Sequence, residues 1–377
     1  MYDCIIVGAG PAGSATAYHL AKQGHSVLLL EKATLPRYKP CSGAVSPSVA
    51  QWFDFDFTPA IDRTLRRVRY TWKLEDPVEA ELETSEPIWM VRRDVFDHFL
   101  VQQAQSQGAQ LKDNTAVTGI EFKGDFWQVN TASGSFEGSY LVAADGANGP
   151  MAKWLGFADQ ELRQAGVLEV PTAQPLGDSA AINFEFGLVK NGCMWSFPKQ
   201  QGYSIGVGTF RGKNLNEFKS YLESYARSFG VAYDQGTAYS HPLKIWDGNR
   251  PLHKDRALLV GEAAATVDPL TAEGIRPSMV SGVRAADALH QALSGQPEAL
   301  ANYTRLMHEE WGADMQWAQR IAGLFYRVPG IGYKVGIKRP TATQRLGELL
   351  AGDIRYADVA NRVMKRLGGG LIPGMGG

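Results

Sequence analysis

The chain has 377 residues, enough for two or three domains and a sizeable core. Its 44% hydrophobic and 20% charged residues are ordinary globular usage and exclude disorder as the main state. The 38 basic and 39 acidic residues nearly cancel, which argues against a general nucleic-acid binder. No apolar run approaches the roughly 18 residues of a spanning helix. No basic stretch leads into an apolar one at the N-terminus, so the expectation is a cytoplasmic chain without a signal peptide. Cys4, Cys41 and Cys193 are far apart, odd in number and not in metal-ligand spacing. Neither a disulfide framework nor a metal site is expected. The charge balance breaks only at the end, where Arg320 to Gly377 holds ten basic and three acidic residues. That excess suits a solvated face or a peripheral contact with an anionic membrane surface.

Residues 3–7 form a β-branched run that ends at Gly8 and reads as a buried strand. An Ala-rich helix follows from about 11 to 23, stopped by Gly24, and Ser26 to Leu30 is a second buried strand. This β-α-β unit predicts a parallel sheet. Residues 33–50, with Pro36, Pro40, Gly43 and Pro47, read as a structured loop. Alternation around Val68, Tyr70 and Trp72 signals strands, and Asp94 to about Gln107 a helix. Strands are expected at 116–122, 126–131 and 135–144, and a strand-rich block from about 165 to 211. A helix is expected over 214–228, a buried strand at 256–260 and a helix over 273–293. From Leu300 the apolar residues Leu300, Tyr303, Met307, Trp311, Met315, Ala318, Ala322 and Phe325 mark one face of a long helix. The Gly-rich end from Gly368 reads as a mobile terminus. The interleaving predicts an α/β fold in three parts. Residues 1–65, 92–164 and 250–298 form a discontinuous Rossmann-like nucleotide domain. Residues 66–91 and 165–249 form an inserted antiparallel-sheet substrate domain, and 299–377 a C-terminal helical segment.

Gly8-Ala9-Gly10-Pro11-Ala12-Gly13 is G-x-G-x-x-G between a strand and a helix. Gly8 makes the tight turn, Gly10 admits a pyrophosphate to the backbone, and Gly13 lets the helix pack close to the sheet. The helix N-terminus offers free N–H groups and partial positive charge. Glu31, after the second strand, is placed to bond a ribose 2′-OH. Further strand ends point to FAD rather than a plain nicotinamide cofactor. Asp145-Gly146 closes one strand, Gly261-Glu262 closes another, and Pro269 to Ile275 opens a helix around Gly274. An acid at a strand end can bond ribitol hydroxyls, and small residues let an isoalloxazine lie flat beside a helix N-terminus.

These residues fall into a known pattern. The fingerprint through Glu31-Lys32 comes first, and Pro36-Arg37-Tyr38-Lys39-Pro40-Cys41-Ser42-Gly43 is like P-R-x-K-x-C-G-G. Arg93 to Asp97 is like R-x-x-F-D, and Gly261 to Gly274 like G-D-A-A…N-P-L-T-G-E-G-I. Cys193 to Pro198 is like Y-x-W-x-F-P. The chain resembles, over nearly its whole length, the flavoproteins of the p-hydroxybenzoate hydroxylase fold, and within them the geranylgeranyl reductase family. The resemblance implies that Arg37 and Arg93 lie near the FAD phosphates or ribitol. It implies that Cys41, Ser42 and Gly43 border the flavin, and that Asp145-Gly146 and Gly261-Glu262 hold pyrophosphate and ribitol. Gly274 and Ile275 would contact the ring by backbone, with Cys193, Trp195 and Phe197 lining a substrate pocket. Cys41 and Trp195 are the candidates for a direct chemical role. Departures from the pattern are Glu262 for Asp, Ser42 for Gly and Cys193 for Tyr. Lys153 stands near the place of a downstream Arg. The expected activity is reduction of an isoprenoid-like C=C bond with electrons from NAD(P)H or reduced ferredoxin. A flavin-dependent hydroxylase or halogenase, or a non-catalytic flavin- or lipid-binding protein, are the alternatives. The histidines at 98, 241, 253, 290 and 308 form no constellation in the sequence and read as solvated.

Overall fold

The computed structural model describes residues 1–369 except 178, 212–214 and 216. Its first sheet has a parallel centre in the order Gln110–Lys112, Val27–Leu30, Tyr2–Val7, Gly134–Ala143, Ala257–Leu259. The β-branched and leucine runs of these strands are buried on both faces, as a parallel sheet between helices requires. The ten-residue strand Gly134–Ala143 does double duty. Its first half closes an antiparallel meander with Trp127–Thr131 and Val117–Phe122, and its second half pairs in parallel with Tyr2–Val7. The helix Pro11–Lys22 begins with Pro at its first position, where a missing N–H costs nothing. It packs against Ile275–Leu293 and Arg93–Ser106.

The second sheet has seven strands, in the order Thr237–Leu243, Arg163–Pro171, Gly202–Thr209, Gly192–Lys199, Ile182–Phe186, Arg67–Trp72, Glu75–Glu81. All neighbours are antiparallel except Ile182–Phe186 and Arg67–Trp72, which run parallel. These two strands come from distant stretches of chain, so no hairpin dictates their direction. Alternation on Gly192–Lys199 sends Cys193 and Phe197, with Trp195, into one core and Met194 into the opposite one. The helix Lys219–Arg227 covers the Met194 side through Leu222, Tyr225 and Ala226, and begins later than its sequence pattern suggests. The first residues of the helix expected over 214–228 lie outside or beside the described residues.

A small third sheet, Ala44–Val45, Ile88–Met90 and Arg63–Leu65, joins the two larger ones. The sequence suggested only a loop over 33–50, because strands of two or three residues leave no periodic signal. Pro47–Trp52 is a 3-10 helix started by the Ser46 side chain and Pro47.

The C-terminal segment is helical throughout its described length. Ala299–Leu306, Met307–Gly312 and Ala313–Arg327 follow one another, the middle stretch being π-helical. The stripe explains why. Tyr303, Met307, Trp311 and Met315 are spaced by four residues three times in succession. An α-helix of 3.6 residues per turn would rotate such a stripe off the core, and a wider π turn keeps it aligned. Leu300, Tyr303, Met307, Met315, Ala318 and Ala322 are all buried, and Trp311 and Phe325 partly so. Pro329–Gly336, Pro340–Ala351 and Tyr356–Gly369 complete the segment. Beyond Gly369 the Gly-rich end lies outside the described residues.

Candidate functional site

The turn after Tyr2–Val7 separates its three glycines by role. Gly8 has φ +108°, and a Cβ there would lie 2.3 Å from the Ala144 carbonyl oxygen. A Cβ on Gly13 would lie 1.9 Å from the Gly8 carbonyl oxygen. Above Gly10 the nearest atom is an Arg37 nitrogen at 4.0 Å. The outer glycines are therefore demanded by strand–helix contact, and the middle one leaves a cradle over the helix N-terminus, with buried Pro11 and Ala12 in its first turn. Glu31 closes over this turn. Its Oε2 accepts the Ala9 N–H at 3.0 Å and its Oε1 the Ala33 N–H at 3.1 Å. Lys32 is exposed beside it.

Arg37 and Arg93 converge on a residue that the sequence did not single out. Asp97, fully buried, accepts Arg93 Nε and Nη2, both at 2.7 Å, and Arg37 Nη1 at 2.9 Å. Burial alone would raise the Asp97 carboxyl; Arg93, then Arg37, outweigh it and hold it below the usual carboxylate range. Arg37 also reaches Glu31 Oε2 at 3.4 Å, so one network ties the cradle to the helix Arg93–Ser106.

Two carboxylates at strand ends keep a free oxygen. Asp145 accepts the Met151 N–H through Oδ2 at 2.8 Å, while its Oδ1 is buried without a hydrogen-bond partner; burial raises its carboxyl. Gly146 follows at φ +79°. Glu262 accepts Lys39 Nζ through Oε2 at 3.2 Å, and its buried Oε1 makes no hydrogen bond. His241 Nε2 stands 3.9 Å from that oxygen. Burial pushes the His241 imidazole down to about 4, against the pull of Glu262. Burial opposes the charge on Glu262, but Lys39 and His241 bring its carboxyl below the usual value. The solvated reading of His241 is thus corrected: the edge strand Thr237–Leu243 carries it inward, onto the cavity wall. Gly261, next to Ala12, donates its N–H to Ser281 Oγ at 2.8 Å and so anchors the turn.

The cavity lies between the two sheets and holds about 160 Å³. Pro11, Cys41, Ser42, Gly43, Arg93, Glu262, Gly274 and Ile275 meet Cys193, Trp195 and Phe197 around it. Gly8, Gly10, Ala12, Gly13, Glu31, Asp145, Gly146 and Gly261 gather after the C-terminal ends of the parallel strands Tyr2–Val7, Val27–Leu30, Gly134–Ala143 and Ala257–Leu259, with Arg37 beside them. Trp195 donates through Nε1 to Ser42 Oγ. A Cβ on Gly206 would fall 2.0 Å from the Trp195 ring, so the neighbouring strand makes room for the indole. Burial pushes the Cys193 thiol up to about 12, leaving it a neutral wall residue. Cys41 lines the cavity, partly exposed.

Two supports were not legible in the sequence. Lys199, buried, donates to the carbonyls of Ser42 and Val91 and so braces the Cys41–Gly43 loop from behind. Asp268, buried, accepts the Leu270 and Thr271 N–H groups at 2.7 and 3.0 Å and the Tyr356 hydroxyl at 2.7 Å. It fixes the turn that delivers Gly274 to the start of Ile275–Leu293. Pro269 is buried in that turn and outside the cavity wall. Among the described residues no group of three metal-ligating side chains comes together.

Residues 1–311 match the FAD binding domain family. An uncharacterised protein of Methanosarcina barkeri is 30% identical over 78% of this chain and 75% of its own. A digeranylgeranylglycerophospholipid reductase of Methanocaldococcus jannaschii is 28% identical over 82% and 83%. A geranylgeranyl bacteriochlorophyll reductase-like protein of Thermoplasma acidophilum superposes with a TM-score of 0.77 at 21% identity, covering 93% of this chain and 91% of its own. A flavin-dependent brominase shares the fold, with a TM-score of 0.72 at 20% identity over 97% and 99%. The fold and the glycine cradle define a flavoprotein that binds FAD. The open space at Gly10 suits a pyrophosphate, and the free oxygens of Asp145 and Glu262 suit hydroxyl donors. The chain belongs to the FAD binding domain family, and its similarity to the digeranylgeranylglycerophospholipid reductases extends over most of its length.

Proposed function

We propose that this protein reduces C=C bonds of an isoprenoid or similar apolar substrate held in the cavity between the sheets. The observation that carries this reading is the wall itself. Phe184, Phe197, Trp195, Val267 and Leu350 supply an apolar chamber, while Lys39, Glu262 and His241 gather at one polar edge. Named relatives are digeranylgeranylglycerophospholipid reductases, and a chamber of about 160 Å³ admits a segment of such an isoprenoid chain rather than the whole lipid.

FAD, when bound and reduced, supplies hydride to one alkene carbon. The chain's own residues do the rest. The Gly8–Gly13 turn and Glu31 hold the adenosine end and pyrophosphate, with Arg37 and Arg93 adding charge beside them. Asp145 and Glu262 take ribitol hydroxyls. Cys41, Ser42, Gly43, Gly274 and Ile275 bound the ring's place at the cavity. Trp195, pinned to Ser42, and Phe197 set the alkene against it, where orientation dominates because an isolated alkene is a poor hydride acceptor. The proton for the second carbon enters from the polar edge. Electrons come from NAD(P)H or a reduced ferredoxin.

The hydroxylase or halogenase reading shares the fold, but Pro36 to Gly43 follows the reductase-like P-R-x-K-x-C-G-G stretch. The test is direct. Reduced holoprotein is incubated with geranylgeranyl lipids of several chain lengths and head groups, and products are read by mass. Gains of two hydrogens are expected. Oxygenated or halogenated products formed only in air would replace this reading, and no products at all would reject it.

A further inference from the structure

We propose that the outer face of the helices Ala313–Arg327 and Pro329–Gly336 docks on an anionic membrane surface. Nine large hydrophobic residues are exposed on the described chain, and four of them fall here. Leu324 is 71% exposed, Ile331 62%, Val335 50% and Val328 41%. Leu324 stands on the first helix, Val328 at the break between the two, and Ile331 and Val335, four residues apart, on one face of the second. Ala322, Tyr326, Tyr333 and Ile337 are buried in the core that also contains Cys193, Trp195 and Phe197. The same helices therefore pack on one side into the core behind the cavity wall and present aliphatic side chains to the outside on the other. A shallow groove beside Trp72, lined by Val328, Pro329 and Ile331, extends this surface.

Charge selects the partner. Between Asp314 and Glu348 the chain carries six basic residues and no acidic one. Arg320, Arg327, Lys334, Lys338 and Arg339 are exposed around these residues. Only Lys338 forms an ion pair among the described residues, with Asp76 at 2.7 Å. Aliphatic residues ringed by lysine and arginine are the composition of an interfacial helix, whose charged heads stay in the headgroup layer while the stems cover apolar surface. A second copy of this chain would bring like charges together. A protein partner is less well matched, because interface anchors favour Trp, Tyr and Arg over Leu and Val. Three of the ten basic residues counted from Arg320 onward lie on these two helices, and Lys338 and Arg339 follow directly after them.

Flotation of full-length holoprotein with vesicles tests this without turnover, so the result is independent of the reductase reading. The protein is expected to float with phosphatidylglycerol–phosphatidylcholine vesicles at low salt, and far less with phosphatidylcholine alone or at high salt. Arg327→Gln with Lys334→Gln should weaken vesicle affinity by about 25-fold, at roughly fivefold per charge. Leu324→Gln with Ile331→Gln should weaken it by about tenfold or more. All four positions are exposed, and an unchanged flavin spectrum and thermal transition verify the fold. Failure of the unaltered protein to float with anionic vesicles overturns the inference. So does flotation that survives both double substitutions. Substitutions that slow reduction by a carrier protein but leave flotation intact would make the face a protein dock instead.

Discussion

Gly10→Ala separates cofactor binding from folding. In the structure a Cβ at this position meets nothing nearer than an Arg37 nitrogen at 4.0 Å, and the backbone stands at φ −82°, which any residue adopts. Alanine is a poorer helix N-cap than glycine, a loss offset by the reduced freedom of the unfolded chain, each within about 1 kcal/mol. Stability should therefore change by less than about 1 kcal/mol. The added methyl occupies the space above the helix N-terminus, where a pyrophosphate must approach the backbone. Losing one or two charge-assisted N–H contacts costs about 1.5–3 kcal/mol each, so FAD affinity should fall at least roughly tenfold. Gly13→Ala makes the contrast, because its Cβ would lie 1.9 Å from the Gly8 carbonyl oxygen. It should cost about 3 kcal/mol or more in stability before any cofactor is added. The assays are FAD titration by fluorescence quenching and chemical denaturation of both apoproteins. A Gly10→Ala protein that binds FAD as tightly as the parent would refute the placement of the pyrophosphate.

Three further outcomes follow from the same geometry. Asp97→Asn leaves the buried Arg93 without its counter-charge and should cost about 3–5 kcal/mol in denaturation experiments. Because the folded Asp97 carboxyl lies below its unfolded value, its stabilisation is complete above about pH 4 and lost as pH falls through the folded value. A variant as stable as the parent at neutral pH would contradict this. His241 is shifted down to about 4, so the unfolded chain takes up its proton first, and stability should drop as pH falls from about 6.5 towards 4. The contribution is about 3 kcal/mol at most, and His241→Gln should flatten that part of the pH–stability curve; an unchanged slope would remove His241 from the account. Gly206→Ala, with its Cβ 2.0 Å from the Trp195 ring, should push the indole from the cavity wall. Reduction of bound FAD should persist while the rate with the lipid substrate falls about tenfold or more. Parallel losses of both would show that Trp195 serves the cofactor rather than the substrate.

What could be read from the sequence is what depends on residue identity at short range. The Gly8–Gly13 turn announces itself, because two of its three positions tolerate no Cβ. The alternation of Cys193, Trp195 and Phe197 announces a wall, because a strand sends every second side chain to one face. The stripe from Leu300 was visible too, and its run of fours carried the π-helical stretch in it unread. What escaped is what long-range contacts decide. Asp97 sat inside a quoted motif, but its importance lies in Arg37, sixty residues earlier. His241, Lys39 and Glu262 come from three distant segments, and nothing local marks their meeting. Lys199 and Asp268 support loops through backbone groups, a role that leaves no residue pattern. The three-stranded linking sheet was missed because strands of two and three residues are too short to show a repeated alternation.

The topology of the first sheet has a consequence for biosynthesis. Gly8 and Gly13 leave the ribosome at the outset, but the turn at Gly261 and the helix beginning at Ile275, which pack beside them, are made some 250 residues later. A nascent chain therefore carries half a nucleotide grip through most of its translation, with the wide parallel sheet still lacking an outer member. Loading of the prosthetic group becomes a late, whole-chain event, and the unfinished sheet is the stage most exposed to misassembly when the cofactor is scarce.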